Sequence, residues 1–195
     1  DLGRRLLAEG HRRVNFAIVA AGENAASPHH EPGCRVIRAD ELVLCDFGGT
    51  MPAEDGAGYC SDITRCVFTG EPPAEVRDLY AVLRDAQQAA VAGAMPGVAC
   101  EDVDAIARRI ISDAGFGGAF VHRTGHGIGV EEHEEPYIVA GNRRALQPGH
   151  VFSIEPGIYL PGRFGVRLED IVAVGKAGPE SLNRAEHALV SVDAG

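Results

Sequence analysis

The sequence predicts a single α+β domain, because strands and helices occupy separate stretches of the chain. Two helical stretches, 74–94 and 101–114, stand between apolar strand-like segments upstream and short glycine-punctuated strands downstream. Separate runs of strands and helices are typical of α+β proteins, whereas α/β proteins alternate the two. A length of 195 residues with 45% hydrophobic content suits one substantial core.

The upstream part is predicted to contain one short helix and three strands. Leucines at helical spacing indicate a helix from residue 2 to about residue 10. Buried strands are expected at 14–20 and 41–49, on either side of a loop at 23–33. The alternating segment 58–70 predicts a third strand.

The alternation in this third strand places Cys60, Asp62, Thr64 and Cys66 on one face. Asp46 lies in the preceding predicted strand, so the sequence predicts that Asp46 and Asp62 occupy neighbouring strands.

The central helices have clear boundaries. An apolar stripe runs along 74–94, which Pro96 and Gly97 terminate. The stripe consists of Val76, Leu79, Tyr80, Leu83, Ala86 and Ala90. The second helix opens with Glu101, Asp102 and Asp104, which suit the positive end of a helix dipole, and Gly115 suits its exit. Short strands are then predicted within 119–129, 151–160 and 165–174.

Composition excludes several classes of function. A formal net charge of −10, without any Lys/Arg cluster longer than a pair, argues against binding to nucleic acid or to an anionic membrane. No apolar run reaches the roughly 18 residues of a membrane span. Five cysteines without a C-x-x-C pair predict no disulfide framework and favour the cytoplasm. We therefore expect a small-molecule partner, and a homodimer is left open.

Four acidic residues stand inside otherwise apolar, strand-like segments: Asp46, Asp62, Glu155 and Glu169. A buried carboxylate is costly unless it finds a cation, hydrogen-bond donors or solvent. For Asp46 or Asp62 alone, a salt bridge or a turn cap is the favoured interpretation. Four such residues together indicate a shared site.

His126 adds a nitrogen ligand to this set. Glycines on both sides of it leave room for the close approach of a ligand or of another backbone segment. A single histidine between glycines is more often a surface imidazole. In company with four carboxylates, however, it completes an oxygen-rich set that suits two divalent cations about 3.5–4 Å apart, as in two-metal hydrolases.

Five motifs carry a resemblance to a known family: PHHEP, GYCSDITR, GHGIGVEEHEEP, FSIEPGIY and GVRLED. In this order they resemble the Xaa-Pro dipeptidase (prolidase) and Xaa-Pro aminopeptidase branch of the methionine aminopeptidase superfamily. The resemblance implies the pita-bread α+β fold, in which a curved antiparallel sheet with outer helices surrounds a dinuclear metal site. It also implies hydrolysis of Xaa-Pro bonds in small peptides.

The resemblance assigns a role to each metal ligand. Asp46 would chelate one ion, His126 and Glu155 would bind the other, and Asp62 and Glu169 would bridge the two. Manganese (Mn²⁺) is the ion that this branch implies, with Co²⁺, Zn²⁺ or Fe²⁺ as substitutes. Water held between two such ions would supply hydroxide at neutral pH.

Further roles come from the same resemblance. Glu155 would accept the proton of the water, while His29 and His133 would contact the substrate and assist the leaving nitrogen. His122 and Arg167 match additional pocket positions.

Alternatives remain for these secondary residues. His133 could be a solvated loop histidine whose pKa nearby carboxylates raise. Arg167 could simply pair with Glu169 or Asp170. Arg65 is predicted to be structural, and His11, His150 and His187 carry no functional prediction.

The chain departs from the family pattern in two places. Asp46 and Asp62 are 16 positions apart, and the segment TMPAEDGAG is expected to hold an insertion of about five residues in a turn, where extra length is tolerated. The chain also begins within a helix, so we expect residues 1–195 to be a catalytic domain without the upstream domain and the first helices of the fold.

Two rival functions stay open. A methionine aminopeptidase would share the five ligands, although its last motif usually lacks the arginine of GVRLED. A catalytically inactive peptide- or protein-binding module on the same fold would typically have lost ligands, and all five are present here.

Overall fold

The computed structural model of the chain describes residues 1–31, 33–54 and 56–193. Its α-helices are α1 (Leu2–Ala8), α2 (Ala74–Gly93) and α3 (Cys100–Asp113), and short 3-10 helices lie at Gly22–Ala26 and Gly117–Ala119. The first strands are β1 (Arg13–Ala21), β2 (Leu42–Pro52), β3 (Gly58–Thr69), β4 (Gly125–Gly127) and β5 (Glu134–Ile138). The remaining strands are β6 (Val151–Ile154), β7 (Gly157–Leu160), β8 (Phe164–Arg167), β9 (Asp170–Val174), β10 (Pro179–Ser181) and β11 (Val190–Val192).

The three upstream strands and the last strand form one four-stranded sheet in the order β1-β2-β3-β11. β1, β2 and β3 are antiparallel, and β11 joins β3 in parallel. The predicted alternation of β3 is confirmed, since Asp62, Thr64 and Cys66 are all buried. Asp46 and Asp62 do lie on neighbouring strands, as predicted.

The β2–β3 hairpin absorbs most of the segment in which we expected an insertion. Pairing continues along both strands until Pro52 faces Gly58, and Asp55 lies outside the described residues. Farther back, Gly48 faces Asp62 and Asp46 faces Thr64. The turn can therefore lengthen without changing the register of the two aspartates.

The downstream strands form a five-stranded sheet, in the order β10-β9-β6-β4-β5, and a two-stranded sheet of β7 and β8. The predicted strand at 151–160 is interrupted at Glu155 and Pro156, and the predicted strand at 165–174 is interrupted at Leu168 and Glu169. Proline explains the first break because it has no N–H for the ladder. Each break contains one of the four unusual carboxylates.

Within 119–129 only three residues form a strand, β4, and residues 120–124 approach it as a loop. Three short strands were not predicted, namely β5, β10 and β11. β5 carries two glutamates and a proline in five residues, so its sequence lacks the apolar alternation that identifies a strand.

One core joins the helices to both large sheets. The predicted stripe of α2 is buried along its whole length: Val76, Leu79, Tyr80, Leu83, Ala86 and Ala90. The core also includes Ile111 from α3, Phe152 from β6 and Leu44 from β2. The helices therefore support the sheets from behind and leave the opposite faces of the strands available for a site.

Asp104 connects helix α3 to the loop before β4. We expected this residue to serve the helix dipole, but its wholly buried carboxylate accepts hydrogen bonds from Thr124 N (3.1 Å) and Thr124 Oγ1 (2.7 Å). Two guanidinium nitrogens of Arg108 donate to the same carboxylate at 2.9 Å. Arg108 also donates to the carbonyls of Phe120 and His122. Asp104 and Arg108 together fix the loop that leads to His126.

Replacing Asp104 with alanine is expected to destabilise the protein by about 3 kcal/mol, because it leaves the Arg108 charge and the Thr124 donors without their partner. Urea unfolding measures this loss. The matched control is Asp113→Ala, on the exposed C-terminal end of the same helix, which should change stability by about 0.5 kcal/mol or less. Equal losses in the two variants would contradict this role of Asp104.

Candidate functional site

A cavity of about 510 Å³ lies where the four-stranded sheet meets the downstream strands. All nine residues that the sequence singled out line it: His29, Asp46, Asp62, His122, His126, His133, Glu155, Arg167 and Glu169. The two strand interruptions explain part of this convergence, since Glu155 and Glu169 stand at the breaks, where Glu169 keeps an isolated antiparallel bridge to Thr64.

Three of these residues form a tight group at the buried end of the cavity. Potential ligand atoms of Asp62, His126 and Glu169 all lie within 4.8 Å of one another. Their side chains come from β3, from β4 and from the link between β8 and β9, and all three residues are buried. Three separate parts of the chain thus direct an imidazole and two carboxylates to one point.

Glu155 and Asp46 flank this group. Glu155 Oε1 lies 3.3 Å from His126 Nε2 and accepts a hydrogen bond from Ser153 Oγ at 3.1 Å. Asp46 Oδ2 accepts one from Arg167 Nη2 at 2.5 Å. The second oxygens of Asp46 and Asp62 are buried and have no hydrogen-bond partner among the described residues.

The orientation of His126 is set by its backbone surroundings. Its Nδ1 lies 3.0 Å from the Gly127 carbonyl, so Nδ1 carries the proton and donates it there. The backbone N–H of His126 donates to Ser153 Oγ. Burial lowers the pKa of His126 to about 4, which keeps the ring neutral at pH 7. Its Nε2 is then a bare acceptor directed at carboxylates.

The carboxylates lie in an environment that disfavours their charge. Burial, reinforced by the charges of Asp46 and Glu155, raises the pKa of Asp62 well above its usual range. Burial and the charge of Asp62 likewise raise the pKa of Glu169. Burial raises the pKa of Glu155 to about 7. These shifts mean that burial, together with the nearness of the other carboxylates, disfavours the ionised form of all three acids.

Arg167 is a cation of the cavity lining that pairs with the two carboxylates flanking this group, Asp46 and Glu155. It is buried, and besides Asp46 it donates to Tyr159 Oη at 2.6 Å and to Thr64 Oγ1 at 3.3 Å. Its Nε lies 4.0 Å from Glu155 Oε2. The alternative that Arg167 merely pairs with Glu169 or Asp170 is wrong, because its salt-bridge partners are Asp46 and Glu155.

His122 continues a chain of hydrogen bonds that begins at Asp46. Tyr159 Oη accepts from Arg167 and donates to His122 Nε2 at 2.9 Å, while His122 Nδ1 donates to the Arg123 carbonyl at 2.7 Å. Burial lowers the pKa of His122 to about 4, so this ring is also neutral. The chain fixes the side chain of His122 on the cavity wall.

His29 and His133 stand at the mouth of the cavity, and both are exposed. The ring of His133 lies 4.2 Å from the ring of His126, measured between centroids. The alternative of a loop histidine with a raised pKa is wrong in direction, because partial burial lowers the pKa of His133. Both imidazoles can reach a molecule that enters the cavity.

Five further lining residues were missed by the sequence analysis: Phe16, Ile18, Pro28, Arg123 and Glu132. Phe16 and Ile18 alternate along β1, so the period of two could have assigned them to one face. Arg123 and Glu132 adjoin the histidine motifs but carry no periodic signal. Ser153 and Thr64 were missed as supports of Glu155 and Glu169, to which they donate hydrogen bonds.

None of the helices in the described part of the chain combines the length and the apolar character that a bilayer crossing requires.

Known proteins share both the sequence and the fold. The chain is 50% identical to the probable dipeptidase PepE of Mycobacterium tuberculosis over 192 residues, which is 98% of this chain and 50% of that protein. It is 49% identical to the Xaa-Pro dipeptidase of Lactobacillus delbrueckii subsp. lactis over 173 residues, which is 88% of this chain and 46% of that protein. The chain therefore spans about half the length of these relatives.

The crystal structure of dipeptidase PepE from Mycobacterium ulcerans superposes with a TM-score of 0.95 at 48% identity, over 100% of this chain and 51% of that one. The predicted resemblance and the pita-bread fold are confirmed. The model of metallopeptidase family M24 matches residues 2–176. Since this match covers most of the sequence, the chain belongs to metallopeptidase family M24.

Proposed function

We propose that this chain is the catalytic part of a dipeptidase that uses two divalent cations to hydrolyse Xaa-Pro bonds in small peptides. The observation that carries the proposal is the convergence of a neutral imidazole nitrogen with carboxylates in one buried cavity. The proposed ligands are Asp46, Asp62, His126, Glu155 and Glu169.

The donor atoms fit cations better than they fit one another. His126 Nε2 and Glu155 Oε1 are both acceptors when the acid is ionised, and they lie only 3.3 Å apart. A proton on Glu155 could relieve this contact. It would leave the unpartnered buried oxygens of Asp46 and Asp62 unchanged, and an unsatisfied buried charge is costly. Divalent cations would satisfy all of these atoms at once.

Two ions suit the set better than one. Five carboxylates and two guanidinium groups, those of Arg123 and Arg167, line the cavity, which leaves a negative excess for the cations to neutralise. The resemblance to the Xaa-Pro dipeptidases assigns the bridging positions to Asp62 and Glu169, and this assignment is supported by carboxylate oxygens that lie within 4.8 Å of each other. Asp46 would then bind one ion, and His126 with Glu155 the other. The oxygen-rich ligation favours Mn²⁺, with Co²⁺, Zn²⁺ or Fe²⁺ as alternatives.

Bound cations would supply a Lewis acid for the scissile carbonyl and would lower the pKa of coordinated water. Glu155 would accept the proton of the attacking water at a carboxylate oxygen. His133 and His29, at the cavity mouth, would contact the substrate and assist the departing nitrogen. His122 would present its fixed, neutral ring to the bound peptide, and Arg167 would keep Asp46 oriented.

The cavity also suits the proposed substrate. Its volume of about 510 Å³ falls within the usual range for small-ligand sites, about 300–1,000 Å³. Phe16 and Ile18 offer apolar surface to a proline ring. The inactive binding module is less well supported, because the five ligands are gathered in one cavity. A cytoplasmic location and a homodimer stay predictions, and all five cysteines are free thiols.

Loss of a bridging carboxylate should damage activity more than loss of a histidine at the mouth. Asp62→Asn or Glu169→Gln is expected to reduce kcat on a Xaa-Pro dipeptide to background, since both cation positions would lose a ligand. His133→Ala should retain measurable turnover, at about 10²-fold below the original. His150→Ala, which lies outside the cavity lining, is the control. Equal residual rates for Asp62→Asn and His133→Ala would contradict the bridging assignment.

Cation affinity should rise with pH between about pH 6 and pH 8. Because the pKa of Glu155 is raised to about 7, this acid is mostly protonated at pH 6, and a cation must displace the proton. Calorimetric Mn²⁺ titrations in two buffers with different ionisation enthalpies would measure both the affinity and the proton release. Affinity independent of pH, without proton release, would rule out Glu155 as a ligand.

Substrate preference separates the two peptidase alternatives. With excess Mn²⁺, the protein is expected to cleave a Xaa-Pro dipeptide with kcat/KM at least about 10-fold above that for a Met-Xaa peptide. Faster release of methionine would instead identify a methionine aminopeptidase. Absence of both activities, together with failure to bind Mn²⁺, would favour the inactive binding module.

A further inference from the structure

The C-terminal segment 182–189 crosses from one large sheet to the other. It leaves β10 at the edge of the five-stranded sheet and leads into β11, which pairs with β3 of the four-stranded sheet. The segment lies beyond the residues that the family model matches, 2–176. We call residues 182–189 the crossing segment.

The crossing segment passes behind the two proposed bridging ligands. Asp62 belongs to β3 of one sheet, and Glu169 directly precedes β9 of the other. The side chains of Asp62 and Glu169 meet in the cavity, so their separation depends on how the two sheets are joined at this line.

Asn183 joins the two sheets through one side-chain amide. Its Nδ2 donates to the backbone carbonyl of Asp62 at 3.0 Å, and its Oδ1 accepts from the backbone N–H of Ile171 at 2.6 Å. Leu182 N donates to the Ile171 carbonyl at 2.8 Å. Asn183 therefore connects the backbone of Asp62 to Ile171, which lies two positions after Glu169.

Arg65 makes a second connection from β3. It donates to the backbone carbonyl of Glu169 at 2.5 Å and to Asp170 Oδ1 at 2.7 Å. It also donates to the carbonyls of Glu186 (3.0 Å) and Ala185 (3.1 Å) in the crossing segment. A single guanidinium thus contacts the Glu169 backbone and the crossing segment together.

Asp170 anchors the far end of the crossing segment. Its carboxylate is wholly buried and lies 2.7 Å from His187 Nε2. Gln87 Nε2 and Ser181 Oγ donate to the same oxygen at 3.3 Å. The crossing segment is therefore held at both ends by groups that adjoin a proposed ligand.

These contacts oppose a specific force. Cation binding requires Asp62 and Glu169 to be ionised together, and two ionised carboxylates at this short range repel each other and load the junction of the two sheets. Besides the crossing segment and Arg65, Thr64 links the two sheets directly at this point. Its carbonyl accepts a hydrogen bond from Glu169 N at 3.3 Å, and its Oγ1 donates to Glu169 Oε2 at 2.6 Å. Cation sites need ligands held to within about 0.5 Å.

On the basis of the proposed two-cation function, we propose that the crossing segment is a positioning clasp. Through Asn183, it sets the separation of Asp62 and Glu169 that allows a second cation to bind beside the first. Asn183 touches neither substrate nor cation. It acts on the Asp62 backbone and on β9, so it is a positioning residue.

The test is an Mn²⁺ titration of the purified protein and of the Asn183→Leu variant, monitored by electron paramagnetic resonance. Each titration is made well below the temperature at which that protein unfolds. In the original protein the second equivalent should replace the isolated-ion spectrum with that of an exchange-coupled pair. Asn183→Leu should keep the first ion and bind the second about 10–100-fold more weakly. Arg184→Ala, exposed in the same segment, is the control and should match the original protein.

A second variant keeps the test informative if Asn183→Leu does not fold. His187→Ala removes one contact to Asp170 at a partly exposed position, and it should weaken the second ion in the same direction but less. A variant that unfolds at a lower temperature, yet binds both ions with the original affinity and gives the coupled spectrum, would overturn the proposal that the crossing segment positions the ligands. If the original protein itself never binds a pair of ions, the proposed function fails instead, which the unmodified titration reveals.

Discussion

Four carboxylates lie in one buried cavity with the neutral imidazole of His126, and Arg167 is the one guanidinium that pairs with any of them among the described residues. The rest of the site follows from this charge imbalance. Burial opposes the ionisation of a carboxylate that has no nearby cation or hydrogen-bond donor. Three of them have raised pKa values, and two carboxylate oxygens lack partners among the described residues. The chain nevertheless holds these groups at short range, which is how a protein prepares a site for cations.

The fold creates this arrangement at places where regular structure stops. Glu155 and Glu169 each occupy a break between two short strands, and Glu169 keeps one isolated antiparallel bridge, to Thr64 of β3. Asp46 and Asp62 instead come from the continuous β2–β3 hairpin, whose register is independent of the length of its turn. One half of the site is therefore rigid through pairing, and the other half depends on hydrogen bonds from neighbouring groups such as Thr64, Arg65 and Ser153.

Much of this organisation could be predicted from the sequence. Alternation in 58–70 placed Asp62 on the buried face, and the apolar stripe of 74–94 gave the core face of α2. The break at Glu155 was missed although Pro156 signals it. The break at Glu169 was missed because apolar residues continue on both sides of it and pairing depends on partners distant in sequence. Asp104 was assigned to the helix dipole, whereas its partner Thr124 is 20 residues away. The crossing segment has no periodic pattern, so its contacts with Asp62 and Asp170 could be recognised only in three dimensions.

Anomalous X-ray scattering from crystals grown with Mn²⁺ tests the central claim most directly, because it locates the ions and their ligands together. The account predicts two peaks about 3.5–4 Å apart, with Asp62 and Glu169 between them, Asp46 on one side, and His126 with Glu155 on the other. A cavity without an anomalous peak, or a single ion with Asp46 bound only to Arg167, would contradict it.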